Sequence, residues 1–130
     1  MSPAAVLEGL NEAQCRAVTH AASQREGRAP VAGPLLVIAG AGTGKTMTLA
    51  HRVGHLVLGG VPPARILLLT FSRRAAREMT RRARRVVGQA LADEGRGAAV
   101  KLPWAGTFHS VANRLLREYA ANLGLDAGFS

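Results

Sequence analysis

The chain has 130 residues, 48% of them hydrophobic and 19% charged, enough for one domain with an apolar core and too few for two. Seventeen Lys and Arg stand against eight Asp and Glu, a net charge of +9, so a polyanion fits as a partner and a cationic one does not. Cys15 is the only cysteine, which excludes an intrachain disulfide and a cysteine cluster around a metal. No basic segment followed by an apolar core opens the chain, and no apolar run reaches membrane-spanning length, so the expectation is a cytoplasmic protein with no membrane partner.

Residues 1–9 read as a frayed start. From Leu10 to Val18 the pattern predicts a helix, with Asn11 as its N-cap and Gln14, three residues on, as the reciprocal capping partner. Residues 23–34 mix Gly, Pro, Ser and charge without periodicity and read as a surface loop. Leu35-Leu36-Val37-Ile38 is then an apolar run with no polar break, which predicts a strand buried on both faces.

That run opens into Ala39-Gly40-Ala41-Gly42-Thr43-Gly44-Lys45-Thr46, a phosphate-binding loop of Walker A pattern with Ala39 where the first glycine usually stands. Gly40, Gly42 and Gly44 allow the backbone to curl until its N–H groups face inward as an anion nest. Lys45 adds a positive charge for β- and γ-phosphates. The Thr46 hydroxyl falls at the start of the next helix, where a Mg²⁺ ligand is needed.

The helix from Thr46 to Leu58 is expected to turn Leu49, Val53, Leu56 and Val57 inward and to stop at Gly59-Gly60-Val61-Pro62-Pro63. His51 and His55 have the spacing of a metal pair, but Arg52 stands where a Glu base would follow and no third ligand accompanies them, so no metal is assigned there. Ile66 to Phe71 reads as the second strand. Strand, helix and strand predict a right-handed βαβ unit with parallel strands, which sets the phosphate loop beside Thr70 and Phe71 at the carboxyl edge.

Ser72 is placed to cap a helix running to about Ala90, with Ala75, Ala76, Met79, Ala83, Val86, Val87 and Ala90 on its apolar stripe. Arg73, Arg74, Arg77, Arg81, Arg82, Arg84 and Arg85 fill the rest of its surface. Only Lys45 and Lys101 of the 17 basic residues are lysines, so seven of the fifteen arginines sit on this one helix. A mere composition bias would scatter them, and concentration here points to a nucleic-acid footprint. Arg73, Arg74 and Arg77 lie nearest the strand ends, while Arg81 to Arg85 lie further along and are expected to face solvent or another domain.

Residues 93–103 read as a loop that contains Asp93 and Glu94. Trp104 to Thr107 predicts a third short strand with Phe108 and His109 at its end, and Ser110 a cap for a helix to about Ala121 that turns Val111, Leu115, Leu116 and Tyr119 inward. His109 beside Ser110 is no hydrolase pair, because adjacent side chains in such a turn diverge and no acidic orienter accompanies them.

Four segments in this order resemble the UvrD/Rep-type superfamily 1 DNA helicases. Leu10 to Val18 is similar to that family's Q-motif, Ala39 to Thr46 to motif I, Leu68 to Met79 to motif Ia, and Gly106-Thr107-Phe108-His109-Ser110 to motif Ib. The resemblance implies a parallel α/β sheet with flanking helices, the incomplete N-terminal portion, over residues 1–130, of a RecA-like P-loop NTPase domain. It implies ATP and Mg²⁺ as cofactors, with Gln14 reading adenine, residues Ala39 to Thr46 holding the phosphates, and Lys45 and Thr46 serving catalysis. It further implies single-stranded DNA as partner along Thr70, Phe71, Ser72, Arg73, Arg74, Thr107, Phe108 and His109. Met47 stands where many relatives carry an Arg near the nucleotide.

Phosphoryl transfer in this class also needs a strand-end carboxylate pair and an arginine finger, which the family draws from motif II onward. No acidic residue here ends an apolar strand, since Asp126 lies in the tail. The expectation is therefore a piece of an ATP-dependent, strand-translocating helicase that binds ATP without turnover by itself and whose partner is the C-terminal part of the motor. Two other readings stay open on the residues alone: a P-loop small-molecule kinase with the Arg helix as phosphate lid, and a non-enzymatic basic nucleic-acid-binding module with a vestigial loop.

Overall fold

The computed structural model describes residues 6–20, 33–42, 44–93, 95 and 100–128. In chain order these form α1 (Glu12–Thr19), α2 (Lys45–Leu58), a 3₁₀ turn (Pro63–Arg65), β1 (Leu68–Thr70), α3 (Arg73–Asp93), β2 (Ala105–Thr107), α4 (Phe108–Glu118) and a second 3₁₀ turn (Ala120–Leu123). It is a small α/β arrangement around a two-stranded parallel sheet in which Leu68 pairs with Ala105, Leu69 with Gly106 and Thr70 with Thr107. Among the described residues no helix is long and apolar enough to cross a membrane.

The core lies between the sheet and two helices. Ala50, Val53 and Val57 from α2 meet Met79, Ala83 and Val87 from α3, and Ile66, Leu68 and Leu102 close the cluster. Small residues let the two helix axes come close: a methyl group on Gly54 of α2 would lie 2.6 Å from Val86 Cγ1 and 3.7 Å from Val6 Cγ1. The helix α2 ends as its glycines demand. Gly60 takes φ 97°, its N–H donates to Val57 O and that of Val61 to Leu56 O, a Schellman closure. On α3, Ser72 caps as expected, its Oγ accepting from the Ala75 N–H at 3.2 Å.

Several sequence expectations are corrected. Residues 33–40 form no strand, and Leu36 and Ile38 are 83% and 89% exposed. A strand exists only where a neighbour satisfies its amides, and Leu35 to Ile38 has no ladder partner among the described residues. The parallel crossover consequently runs β1–α3–β2 rather than from residues 35–38 to β1. Val6 is buried and its carbonyl is bonded by the His51 ring, so the start is not frayed throughout.

On the helices, Leu49 of α2 and Ala75 of α3 are exposed, and Ala50 and Gly54 occupy the inner face of α2 instead. Asp93 ends α3 rather than lying in a loop. Thr107, not Ser110, caps α4, with Ser110 as the third residue of a reciprocal capping box. Only Val111 of the expected inner face of α4 is buried; Leu115, Leu116 and Tyr119 are exposed because this helix meets the body chiefly through β2. Thr43, Glu94, the Ser23–Pro34 loop up to residue 32 and the first five and last two residues lie outside the described set.

Gly54→Ala separates two opposing effects. Alanine is the better helix former by about 1 kcal/mol, but the added methyl meets a β-branched side chain stiff at χ1, and overpacking costs about 1–3 kcal/mol. A lowered thermal midpoint is expected, restored by the pair Gly54→Ala with Val86→Ala; a single mutant at least as stable as the parent would refute the close helix contact.

Candidate nucleotide and nucleic-acid sites

The glycine-rich turn leads directly into α2, whose N-cap is Gly44 in the left-handed region at φ 80° with no side chain capping the helix. Gly42 likewise has φ 75°. The first N–H groups of α2 are thus left for an anion rather than a capping hydroxyl. The Lys45 ammonium reaches back across the turn to the Ala39 carbonyl at 3.0 Å, which holds the charge over the loop. Thr46 is half-buried at the second position of the helix, and the Thr48 hydroxyl returns to Gly44 O at 2.9 Å. Gly40, Ala41 and Gly42 are exposed in the same turn. These donors fit a polyphosphate with its cation: backbone N–H groups, one ammonium and one hydroxyl.

Gln14 has the capping role and also touches the loop. Its Oε1 accepts from the Asn11 N–H and the Asn11 Oδ1 from the Gln14 N–H, both at 2.9 Å, completing the capping box on α1. The other end of the amide faces Gly44: a methyl group there would lie 2.7 Å from Gln14 Nε2. Position 44 therefore excludes a side chain twice, by its positive φ and by Gln14. The link between α1 and α2 is reinforced by Arg52, which donates to the Val18 and His20 carbonyls at 2.7 and 2.6 Å and satisfies the C-terminal end of α1. Burial holds the Arg52 guanidinium below its ordinary pKa. His55, on the same helix, is also held low, first by burial and then by the charge of Arg52; its Nδ1 is buried without a hydrogen-bond partner among the described residues.

The second constellation lies at the carboxyl ends of both strands. Because Thr70 and Thr107 are register partners, the residues that follow them emerge side by side, and the Phe71 and Phe108 rings stand 5.9 Å apart at 59°. Phe71 is 94% exposed. An apolar ring so placed is not core. The Thr70 hydroxyl turns to Ser72 O at 3.1 Å and tightens the step from β1 into α3. Next to the rings lies a cleft of about 460 Å³ lined by Phe71, Arg73, Thr107, His109, Ser110 and Asn113.

Of the residues singled out in sequence, Phe71, Arg73, Thr107, Phe108 and His109 come together here, with Thr70 and Ser72 beneath them; Arg74 is exposed on α3 and lines no part of the cleft. Ser110, read in sequence as a helix cap, and Asn113, which sequence did not single out, join them. Asn113 stands four residues after His109, so helical spacing alone places both on one side of α4.

A model of the UvrD/REP helicase N-terminal domain matches residues 20–130. The chain belongs to that family. It is 37% identical over 131 residues to the ATP-dependent DNA helicase PcrA of Leuconostoc citreum, covering all of this chain and 15% of that protein. It is 39% identical over 127 residues to the ATP-dependent DNA helicase UvrD1 of Mycobacterium leprae, 96% of this chain and 14% of the relative. A PcrA of Staphylococcus aureus is 39% identical over 99 residues, 75% of this chain and 12% of its own length. The chain thus spans about one seventh of the UvrD/REP relatives it matches.

Gln14→Ala is expected to cost about 1 kcal/mol by opening the capping box, read from urea unfolding. Gln14→Glu keeps the acceptor and removes the donor, so it should unfold at the parent's midpoint. Equal stability of Gln14→Ala and the parent would show that the reciprocal bond carries nothing.

Proposed function

We propose that this chain is the N-terminal ATP-binding portion, residues 1–130, of an ATP-dependent DNA helicase that translocates on single strands in the cytoplasm, built on a RecA-like fold completed by further parts of the protein. The observation that carries the reading is the exposed Phe71–Phe108 pair at the carboxyl edge of a parallel sheet, followed at once by an arginine-rich helix. Aromatic faces accept any base, and the surrounding hydroxyls, imidazole and guanidinium bind phosphate and sugar without reading sequence, which is what a translocating motor needs. Membership in a helicase family supports it, as do two relatives named as ATP-dependent DNA helicases.

The residues at 39–46 supply the nucleotide end. Backbone N–H groups from Gly40 to Gly44 and the ammonium of Lys45 hold the phosphates, Thr46 offers its hydroxyl to Mg²⁺, and Gln14 presents Nε2 at the edge of the loop toward adenine. Mg²⁺ held at the Thr46 hydroxyl would supply positive charge against the negative charge that develops in phosphoryl transfer. Carboxylates that orient the attacking water, and an arginine finger, come in this reading from the C-terminal part of the motor. The isolated chain accordingly binds ATP without turning it over. The kinase and vestigial-loop readings each leave the aromatic edge without a use or the intact loop without a ligand.

Charge-assisted bonds to phosphate are worth about 1.5–3 kcal/mol each, so Lys45→Ala should weaken fluorescent-ATP binding at least about tenfold. An unchanged titration with a folded mutant would remove the nucleotide site.

The DNA edge separates stacking from charge. Phe71→Ala or Phe108→Ala should cost about 1–3 kcal/mol in single-strand affinity at every salt concentration, with the slope of log affinity against log salt unaltered. Arg73→Gln with Arg74→Gln should flatten that slope by about 0.7 for each phosphate no longer neutralised. A changed slope in the aromatic mutants together with an unchanged one in the arginine mutant would overturn the assignment.

A further inference from the structure

On the far half of the arginine helix Arg81, Arg84 and Arg85 are exposed, as expected, and part of that exposed surface is concave. Arg77, Arg81 and Arg84 line a second groove, of about 540 Å³, whose opposite wall is β2 from Ala105 to Thr107. Their spacing of four and three residues stacks them on one side of α3. Arg73, Thr107 and Ser110 border both this groove and the cleft beside the phenylalanines, so the two are continuous. Among the described residues no carboxylate lines the second groove, and Glu78 of α3 is turned to Arg82 at 2.5 Å. Among the described residues no aromatic side chain lines it either.

We infer that this groove is a phosphate track: the nucleic-acid strand whose bases stack at Phe71 and Phe108 continues along α3, with its phosphodiester backbone held by Arg77, Arg81 and Arg84 and its bases directed away. Together with Arg73 these are four guanidinium groups with no carboxylate among them; they repel one another unless a polyanion lies between, and guanidinium forks match phosphate oxygens. With arginines rather than aromatic rings on its wall, the track adds affinity chiefly through charge and is indifferent to sequence. From Arg73 to Arg84 the helix rises about 16 Å, room for several phosphates in addition to those at the strand ends. The inference rests on the single-strand reading above and extends the same site.

The test uses the full chain with fluorescent oligothymidylates, a tetranucleotide that fills only the strand-end cleft and a dodecanucleotide that reaches both grooves. Arg81→Gln with Arg84→Gln should leave tetranucleotide affinity unchanged, weaken the dodecanucleotide about tenfold at low salt, and flatten its salt slope by about 0.7 for each phosphate released. Arg81→Lys with Arg84→Lys should keep most of the slope, which separates charge from folding. A dodecanucleotide that gains nothing over the tetranucleotide, or a gain that survives Arg81→Gln with Arg84→Gln, overturns the track. Phe71→Ala weakening both lengths in that case leaves the strand-end reading in place, whereas no effect of Phe71→Ala on either length removes both.

Discussion

The close approach of α2 to α3 is what the remaining geometry depends on. It is made by small residues, Ala50, Val53, Gly54 and Val57 against Ala83, Val86 and Val87, and it is the most extensive packing between any two elements. The helix α2 begins where the glycine-rich turn ends, and α3 begins just after β1. Packing the two helices therefore fixes the phosphate loop relative to the aromatic edge. In a motor of the proposed kind, a shift at the loop would reach the strand edge through this helix pair, since close-packed interiors transmit displacement rather than absorb it.

What could be read from the sequence follows from how local each signal is. The capping box at Asn11 and Gln14, the Ser72 cap, the glycine stop after Leu58 and the stripe from Ala76 to Ala90 each depend on residues within a few positions, and each is present. Signals that need a distant partner held only where that partner is at hand, as for the strands within Ile66 to Phe71 and Trp104 to Thr107, which pair with each other. Leu35 to Ile38 has the composition of a buried strand, but burial and pairing depend on what lies beside it. Leu115, Leu116 and Tyr119 have helical spacing, and α4 is indeed helical, yet periodicity identifies an apolar face without supplying its cover.

The candidate sites divide along the same line. The order of motifs brought Phe71, Arg73, Thr107, Phe108 and His109 to notice, and the parallel register of β1 with β2 accounts for their meeting. Arg77, Arg81 and Arg84 were legible as part of a basic helix face, but not the groove they form, because the wall opposite them comes from β2, well beyond the end of α3 in the chain. Gln14 was legible as a cap, while its approach to Gly44 needed the packing of α1 on α2.

The open sheet has a colloidal consequence. Among the described residues each strand pairs on one side only, and Leu36, Ile38 and Leu67 present more than half of their surface to water. Unpaired amides next to apolar side chains are a template on which a second molecule can add a strand. Opposing this is the net charge of +9, which keeps copies apart at low ionic strength. Added salt shortens the reach of that repulsion to about 8–10 Å and leaves apolar attraction intact. Self-association of the isolated chain is thus opposed by charge in dilute buffer and would be favoured by concentrated salt.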